Sequence, residues 1–319
     1  MSHKLFQDIF ERKTFGEILL VLIAFFWGST FILVKLTIEV MPIFMFLTIR
    51  FFLAAMVTLP IFILRFSQTP ISIKDHAIKG SVIGATLWIT FAFQTVGLVF
   101  TTATVAAFIT GLSVIITPLL AIVLFQFRIQ RNIIIGAILA FLGVSLLSGI
   151  LELDLSQSQG QWQLIGNVLI FICAIAIAFH ILLTERHAPS IDPAGFLFFQ
   201  LITATILSMG TMVVTKQYEP AFFNPSNWDS VIWITVIVTV IFATVFAFLI
   251  QSYYQSKRII SGSRIAVIYA FEPVFAALTS FLILGESLSF LGLIGAALIF
   301  FAMIISSRRN EVKTASKVD

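Results

Sequence analysis

The chain has 319 residues, of which 59% are hydrophobic and only 11% charged, with a mean hydropathy of +1.08. Soluble domains run near half apolar and about a quarter charged, so this composition excludes an ordinary soluble globule. A net charge of +4 is too small for a nucleic-acid footprint, and the single cysteine, Cys173, excludes a disulfide framework and a cysteine-built zinc site.

Charge-free runs locate the membrane spans. No charged residue falls between Ile18 and Val34, or within 132–151, 155–184, 193–215 and 230–256. The run Gly80–Phe127 is also uncharged. As one helix it would reach about 72 Å at 1.5 Å per residue, more than twice a hydrocarbon core of about 30 Å. It must fold back, and Thr101-Thr102 is the expected turn. Ten spans follow, at 17–37, 42–64, 77–98, 102–126, 131–149, 162–184, 193–215, 229–254, 260–284 and 289–306. The first is longer than a signal-peptide core and lacks a small-residue cleavage site, so it reads as a retained helix. Long continuous runs also exclude an alternating β-barrel pattern. The expected fold is therefore an all-α polytopic membrane protein.

Positive charge sets the expected orientation. With both termini in the cytoplasm, the inner segments collect Lys4, Arg12, Lys13, Arg65, Lys74, Lys79, Arg128, Arg131, Arg186, Lys257, Arg258, Arg264, Arg308, Arg309, Lys313 and Lys317. The outer segments keep Lys216 and Lys35, while Arg50 sits inside a span. Such an asymmetry places basic loops inside and predicts a multi-pass protein of the cell membrane. The outer loops carry Glu39, Glu152, Asp154, Glu219 and Glu286.

A weak self-similarity divides the chain. Shifted by about 159 residues, Leu119, Gly136, Ala137, Leu139 and Phe141 meet Leu278, Gly295, Ala296, Leu298 and Phe300. Five spans over 17–150 and five over 162–306 would form two repeats. An odd number of helices per repeat inverts the second copy, which is a transporter device for exposing a central cavity to alternate sides.

The motifs fit this plan. The first half has Trp27-Gly28-Ser29-Thr30-Phe31 leading to Lys35, then Arg50-Phe51, then Ala106-Ala107-Phe108 with Thr117-Pro118-Leu119-Leu120. The second has Leu249-Ile250-Gln251 with Gln255, Ala270-Phe271-Glu272-Pro273-Val274-Phe275 and Leu284-Gly285-Glu286, followed by Gly292 and Gly295. On these residues the chain resembles the drug/metabolite transporter superfamily, EamA type, over nearly its whole length. The pattern departs at Gln126-Phe127, where the first repeat usually ends its fourth span in Gly-Glu, and at Ala302, which occupies a usual glycine position. The resemblance implies ten helices, export or exchange of small metabolites, and no ATP-binding domain.

Polar residues inside the spans are the site candidates. A carboxylate near the middle of the ninth span is costly unless it is protonated, paired or facing water. Glu272 is therefore a proton-coupling or amine-binding candidate, or else an anchor for the helix break at Pro273. Arg50 offers a bidentate partner for a substrate carboxylate, a partner for Glu272, or a side chain snorkelling outward. Lys35 ends the first span, where snorkelling or neutralisation by Glu39 at i+4 is expected. Trp27, Thr30, Trp88, Phe91 and Gln94 are candidate cavity lining from the first half, with Trp88 and Phe91 sharing one face of the third span. Gln251, Tyr254 and Tyr269 are their counterparts from the second half. Trp162 and Trp228 read as interfacial anchors. His180, Glu185 and His187 match no zinc spacing, and the chain has no hydrolase, kinase or P-loop motif. The small residues of spans five and ten fit tight packing within the chain or a dimer contact. The expectation is a secondary transporter without cofactor or metal, working as monomer or homodimer. Its partners are a small-molecule substrate, the bilayer and a coupling proton or counter-solute. An uncoupled facilitator, or a non-transporting or enzymatic intramembrane protein, is the alternative.

Overall fold

A computed structural model describes residues 13–68, 72–125, 131–147, 158–187, 192–257, 259–260 and 268–307. Gln126-Phe127, Glu152, Asp154, Arg264 and the basic tail after Ser307 lie outside them. The elements are α1 (Lys13–Ile38), α2 (Ile43–Gln68), α3 (Ile73–Phe100), α4 (Ala103–Gly111), α5 (Ser113–Phe125) and α6 (Arg131–Leu147). Then come α7 (Ser158–His187), α8 (Pro193–Val214), α9 (Ser230–Ile237), α10 (Ala247–Ser256), α11 (Glu272–Leu284) and α12 (Phe290–Ser307). Seven helical segments among the described residues are long and apolar enough to cross a membrane, and three shorter apolar helices complete the ten expected spans. Large apolar side chains such as Val123, Phe141, Leu282 and Phe290 are exposed on the outside of the bundle, as a lipid-facing surface requires.

Local chemistry explains where the chain turns. Thr101 ends α3 in extended backbone, and the Thr102 hydroxyl caps α4 by accepting from the Val105 N–H at 3.1 Å. The folding-back expected at Thr101-Thr102 is thus built by a threonine cap. Asp192 caps α8 through the Ala194 and Gly195 N–H groups, with Pro193 in the first turn where its missing donor costs nothing. Asp229 caps α9 through the Ile232 N–H at 2.8 Å. Within the spans, hydroxyls of Thr48, Thr117, Thr205, Thr211 and Thr279 bond back to carbonyls one turn earlier, leaving fewer bare donors in an apolar medium.

Three local features differ from the expected spans. The fourth is two helices, α4 and α5, meeting at Leu112, with Pro118 inside α5. The eighth is α-helical at both ends but π-helical over Val238–Phe246. In the ninth, residues 268–269 are helical and a turn at 270–271 separates them from α11, so Glu272 opens a helix instead of lying within one.

Neighbouring helices pair α1 with α11, α2 with α8, α3 with both α7 and α8, α4 with α7 and α11, and α6 with α12. The α6–α12 pair shows what the small residues do. A Cβ on Gly295 would sit 2.5 Å from the Gly143 carbonyl oxygen, and one on Gly143 would sit 2.8 Å from the Gly295 oxygen. These two glycines are spent on packing within the chain. The buried core runs through all these pairs, with a second cluster of Leu20, Ile23, Tyr254, Ile260 and Ile268 near the start of α1.

Candidate functional site

Gly28 brings the two halves together. A Cβ there would meet the Glu272 carbonyl oxygen at 2.5 Å and the Ala276 nitrogen at 2.8 Å, so only glycine allows α1 and the start of α11 into backbone contact. That approach sets Trp27 beside Tyr269, with ring centroids 4.8 Å apart, and Phe248 lies 6.0 Å away on the other element. The Trp27 indole N–H donates to the Ala243 carbonyl at 2.9 Å. The Tyr269 hydroxyl donates to Gln251 Oε1 at 3.3 Å. Trp27, Tyr269 and Gln251 therefore form one neighbourhood, and Glu272 opens the helix beside it.

Arg50 approaches the same π-helical segment from α2. It is only 2% exposed, and its Nε and Nη2 donate to Thr244 Oγ1 at 3.3 and 3.2 Å. Its guanidinium lies 4.1 Å from the centroid of Phe91 and 5.9 Å from that of Phe51. No carboxylate pairs with Arg50 among the described residues. The snorkelling arrangement is absent: the side chain points into the bundle. One turn along α3 from Phe91, the Trp88 indole N–H is buried and has no acceptor among the described residues. Gln94 is half-buried on the same helix.

The remaining candidates fall elsewhere. The Thr30 hydroxyl bonds back to the Trp27 carbonyl at 2.7 Å. Tyr254 is fully buried in the second core cluster, where its ring fills the space left by Gly16. Pro273 is buried in the first turn of α11, so its missing N–H breaks no helical bond. The Glu272 carboxyl makes no ion pair or hydrogen bond with a described residue. His180 is buried, 3.3 Å from the Thr86 hydroxyl and 5.8 Å ring-to-ring from Phe248. No group of three or more potential metal ligands occurs among the described residues.

Lys35 has a partner that spacing did not suggest. Glu39 is exposed, and Lys35 instead lies 3.6 Å from Glu286 Oε1 while donating to the Thr101 carbonyl at 2.9 Å. The other carboxylate oxygen accepts from the Thr104 hydroxyl at 3.2 Å and from the Thr104 N–H at 3.4 Å. Gly285 makes this turn with φ +66°, a left-handed conformation natural to glycine, which ends α11 and aims Glu286 at the start of α4. Four segments are tied at one end of the bundle. A recess of about 610 Å³ beside this tie is lined by Lys35, Phe100, Thr101, Thr102, Trp162 and Gln163, among others.

A bundle of apolar helices with a buried arginine, a half-buried acid and an aromatic cluster among them is that of a multi-pass membrane protein, and ionisable side chains within spans are candidates for solute or ion pathways. The chain belongs to the EamA-like transporter family, whose model matches it twice, over residues 14–149 and 164–308. It is similar to an uncharacterized transporter of Archaeoglobus fulgidus, at 32% identity over 93% of this chain and 87% of the relative. The uncharacterized transporter YetK of Bacillus subtilis (strain 168) is 24% identical over 91% of this chain and 87% of its own length. A solved crystal structure with a TM-score of 0.61 and 19% identity covers 91% of this chain and 95% of its own, which shows the shared fold. Family and relatives point to transport and away from an enzyme.

Proposed function

We propose that this protein is a secondary transporter that moves small organic solutes by alternating access, outward across the cell membrane, with both termini in the cytoplasm. Residues 17–150 and 162–306 act as two inverted five-helix repeats. The helix pairings support this: exchanging each span with the one five positions away turns the α1–α11 pair into α7 against α4–α5, which also packs together. The same exchange maps α2–α8 and α6–α12 onto themselves.

The observation that carries the proposal is the convergence on the π-helical segment. Trp27 from α1 and Arg50 from α2 bond to adjacent residues, Ala243 and Thr244, of one irregular stretch in the opposite half. π-Helical turns widen a helix locally and recur at functional sites. In this reading the solute is held between the halves, against the aromatic side chains and the cation that meet this segment. The Lys35–Glu286 tie closes the bundle at the far end of α1, consistent with one of two access states. Glu272, an acid without a described counter-charge, is the residue that carries a coupling proton.

Flux in proteoliposomes tests the reading. Purified protein should move solutes from a panel of amphipathic cations, anions and zwitterions faster than protein-free vesicles. Trp27→Phe, which keeps an aromatic ring but deletes the indole N–H bond to Ala243, should slow that flux at normal abundance. No flux for any solute from folded protein would overturn the proposal.

A further inference from the structure

The interior holds two donor groups that the described acceptors meet only in part or not at all. Arg50 carries five N–H donors; the Thr244 hydroxyl receives one from Nε and one from Nη2. The rest of Nη2 and all of Nη1, the end-on edge of the fork, have no partner among the described residues. The faces of Phe91 and Phe51 stabilise the cation through their π-systems but accept no directed bond of useful strength. Next along α3, the Trp88 indole N–H is also buried and unmet. A buried guanidinium without counter-charge is unfavourable, and the Thr244 bonds and the Phe91 face offset only part of the cost of removing it from water. Glu272, the acid nearest the middle of the bundle in sequence terms, does not pair with it.

The surroundings define the missing group. An end-on guanidinium edge matches the two oxygens of a planar carboxylate, giving parallel charge-assisted bonds. Trp88 adds a single neutral donor suited to a further acceptor oxygen. Phe51, Phe91 and Trp88 supply apolar faces for the rest of the molecule. Resting on the transporter reading above, we infer that the solute is an organic carboxylate with an apolar body, held head-first at Arg50 with Trp88 as second donor. Thr244 and Phe91 position the guanidinium without touching the solute's head. Arginine, and not lysine, is required because Thr244 and the ring face orient a planar fork.

Three matched probes test this on the purified protein in lipid nanodiscs at neutral pH: 3-phenylpropionate, its neutral amide 3-phenylpropionamide, and the cation 3-phenylpropylamine. Binding by calorimetry should favour the carboxylate over the amide by at least about tenfold, the scale of one charge-assisted bond. Arg50→Gln should erase that preference. Trp88→Phe should weaken the carboxylate several-fold more than it weakens the amine, because only the carboxylate uses the indole N–H. Equal affinity for carboxylate and amide, tighter amine binding, no binding of any probe, or a preference that survives Arg50→Gln each overturns the inference. If Arg50→Gln does not fold, the comparison of probes on the unaltered protein and the Trp88→Phe result decide. Flux separates the two proposals. Transport of the amine without the carboxylate overturns the solute class and leaves transport standing, whereas carboxylate binding without flux of any probe does the reverse.

Discussion

Replacing Gly28 by alanine should damage both the fold and the site, and the structure gives the scale. The new Cβ would lie 2.5 Å from the Glu272 carbonyl oxygen, 2.8 Å from the Ala276 nitrogen and 2.9 Å from the Phe275 Cβ. Two of these are backbone atoms of α11, so no rotamer change relieves the contact. Reaching ordinary van der Waals separation requires α1 and α11 to part by roughly 1 Å, and overpacking of this kind costs about 1–3 kcal/mol. At about 2–4 °C per kcal/mol for chains of this order of size, the melting temperature should fall by several degrees. The same displacement pulls Tyr269 from Trp27, now 4.8 Å apart, and flux should fall further than abundance does. Gly210 is the control. Nothing lies within 4 Å of a Cβ there, about one turn before the end of α8, so Gly210→Ala should be neutral or stabilise by roughly 0.5–1 kcal/mol. A thermal-shift series in detergent with parallel proteoliposome flux reads both effects. Unchanged melting and full flux in Gly28→Ala would refute the argument that this glycine sets the distance between the halves.

Other substitutions probe separate parts of the bundle. Gly295→Ala places a Cβ 2.5 Å from the Gly143 oxygen and 2.6 Å from the Leu147 nitrogen, so it should lower the melting temperature by a similar amount. Because α6 and α12 lie away from the Trp27 and Arg50 clusters, flux per folded molecule should be retained, and a loss of flux without loss of stability would contradict this. Glu272→Gln should abolish gradient-driven accumulation while sparing downhill counterflow, measured in vesicles with and without a pH gradient; full accumulation by the variant would remove Glu272 as proton carrier. For orientation, a cysteine introduced by Glu219→Cys should react with an impermeant thiol reagent added to intact cells, and one introduced by Lys257→Cys should not. Labelling at position 257 from outside would invert the topology.

The extent to which the sequence announces this protein depends on the range of the interaction. Spans were legible because bilayer thickness imposes about 20 apolar residues, and the Thr101-Thr102 turn because hydroxyls are efficient caps. Trp27, Tyr269 and Gln251 stood out as polar-tipped rings and an amide in apolar helices, and the fold brings them together. The π-helical stretch over Val238–Phe246 left no such mark: it contains neither glycine nor proline, and α-helical and π-helical hydrogen bonding suit the same apolar residues. Thr244 was therefore not singled out, although it holds Arg50. Spacing along one helix suggested Glu39 for Lys35, whereas the observed partner, Glu286, is remote in sequence and is delivered by the left-handed turn at Gly285. Tyr254 had the chemistry of a lining residue, but a glycine opposite it, Gly16, left a space that its ring fills. What a side chain is follows from the sequence; what faces it across the bundle depends on tertiary contact.

Alternating access requires that solute pass through the bundle only when the Lys35 end opens. The tie there rests on the Lys35–Glu286 contact at 3.6 Å and on the bonds each makes to the α3–α4 turn. Its most direct test uses the double variant Lys35→Cys/Glu286→Cys in proteoliposomes, bridged by a bifunctional thiol reagent with a cleavable disulfide. Flux should proceed before bridging, stop once the two positions are linked, and return when the link is reduced. Undiminished flux through the bridged protein would contradict the claim.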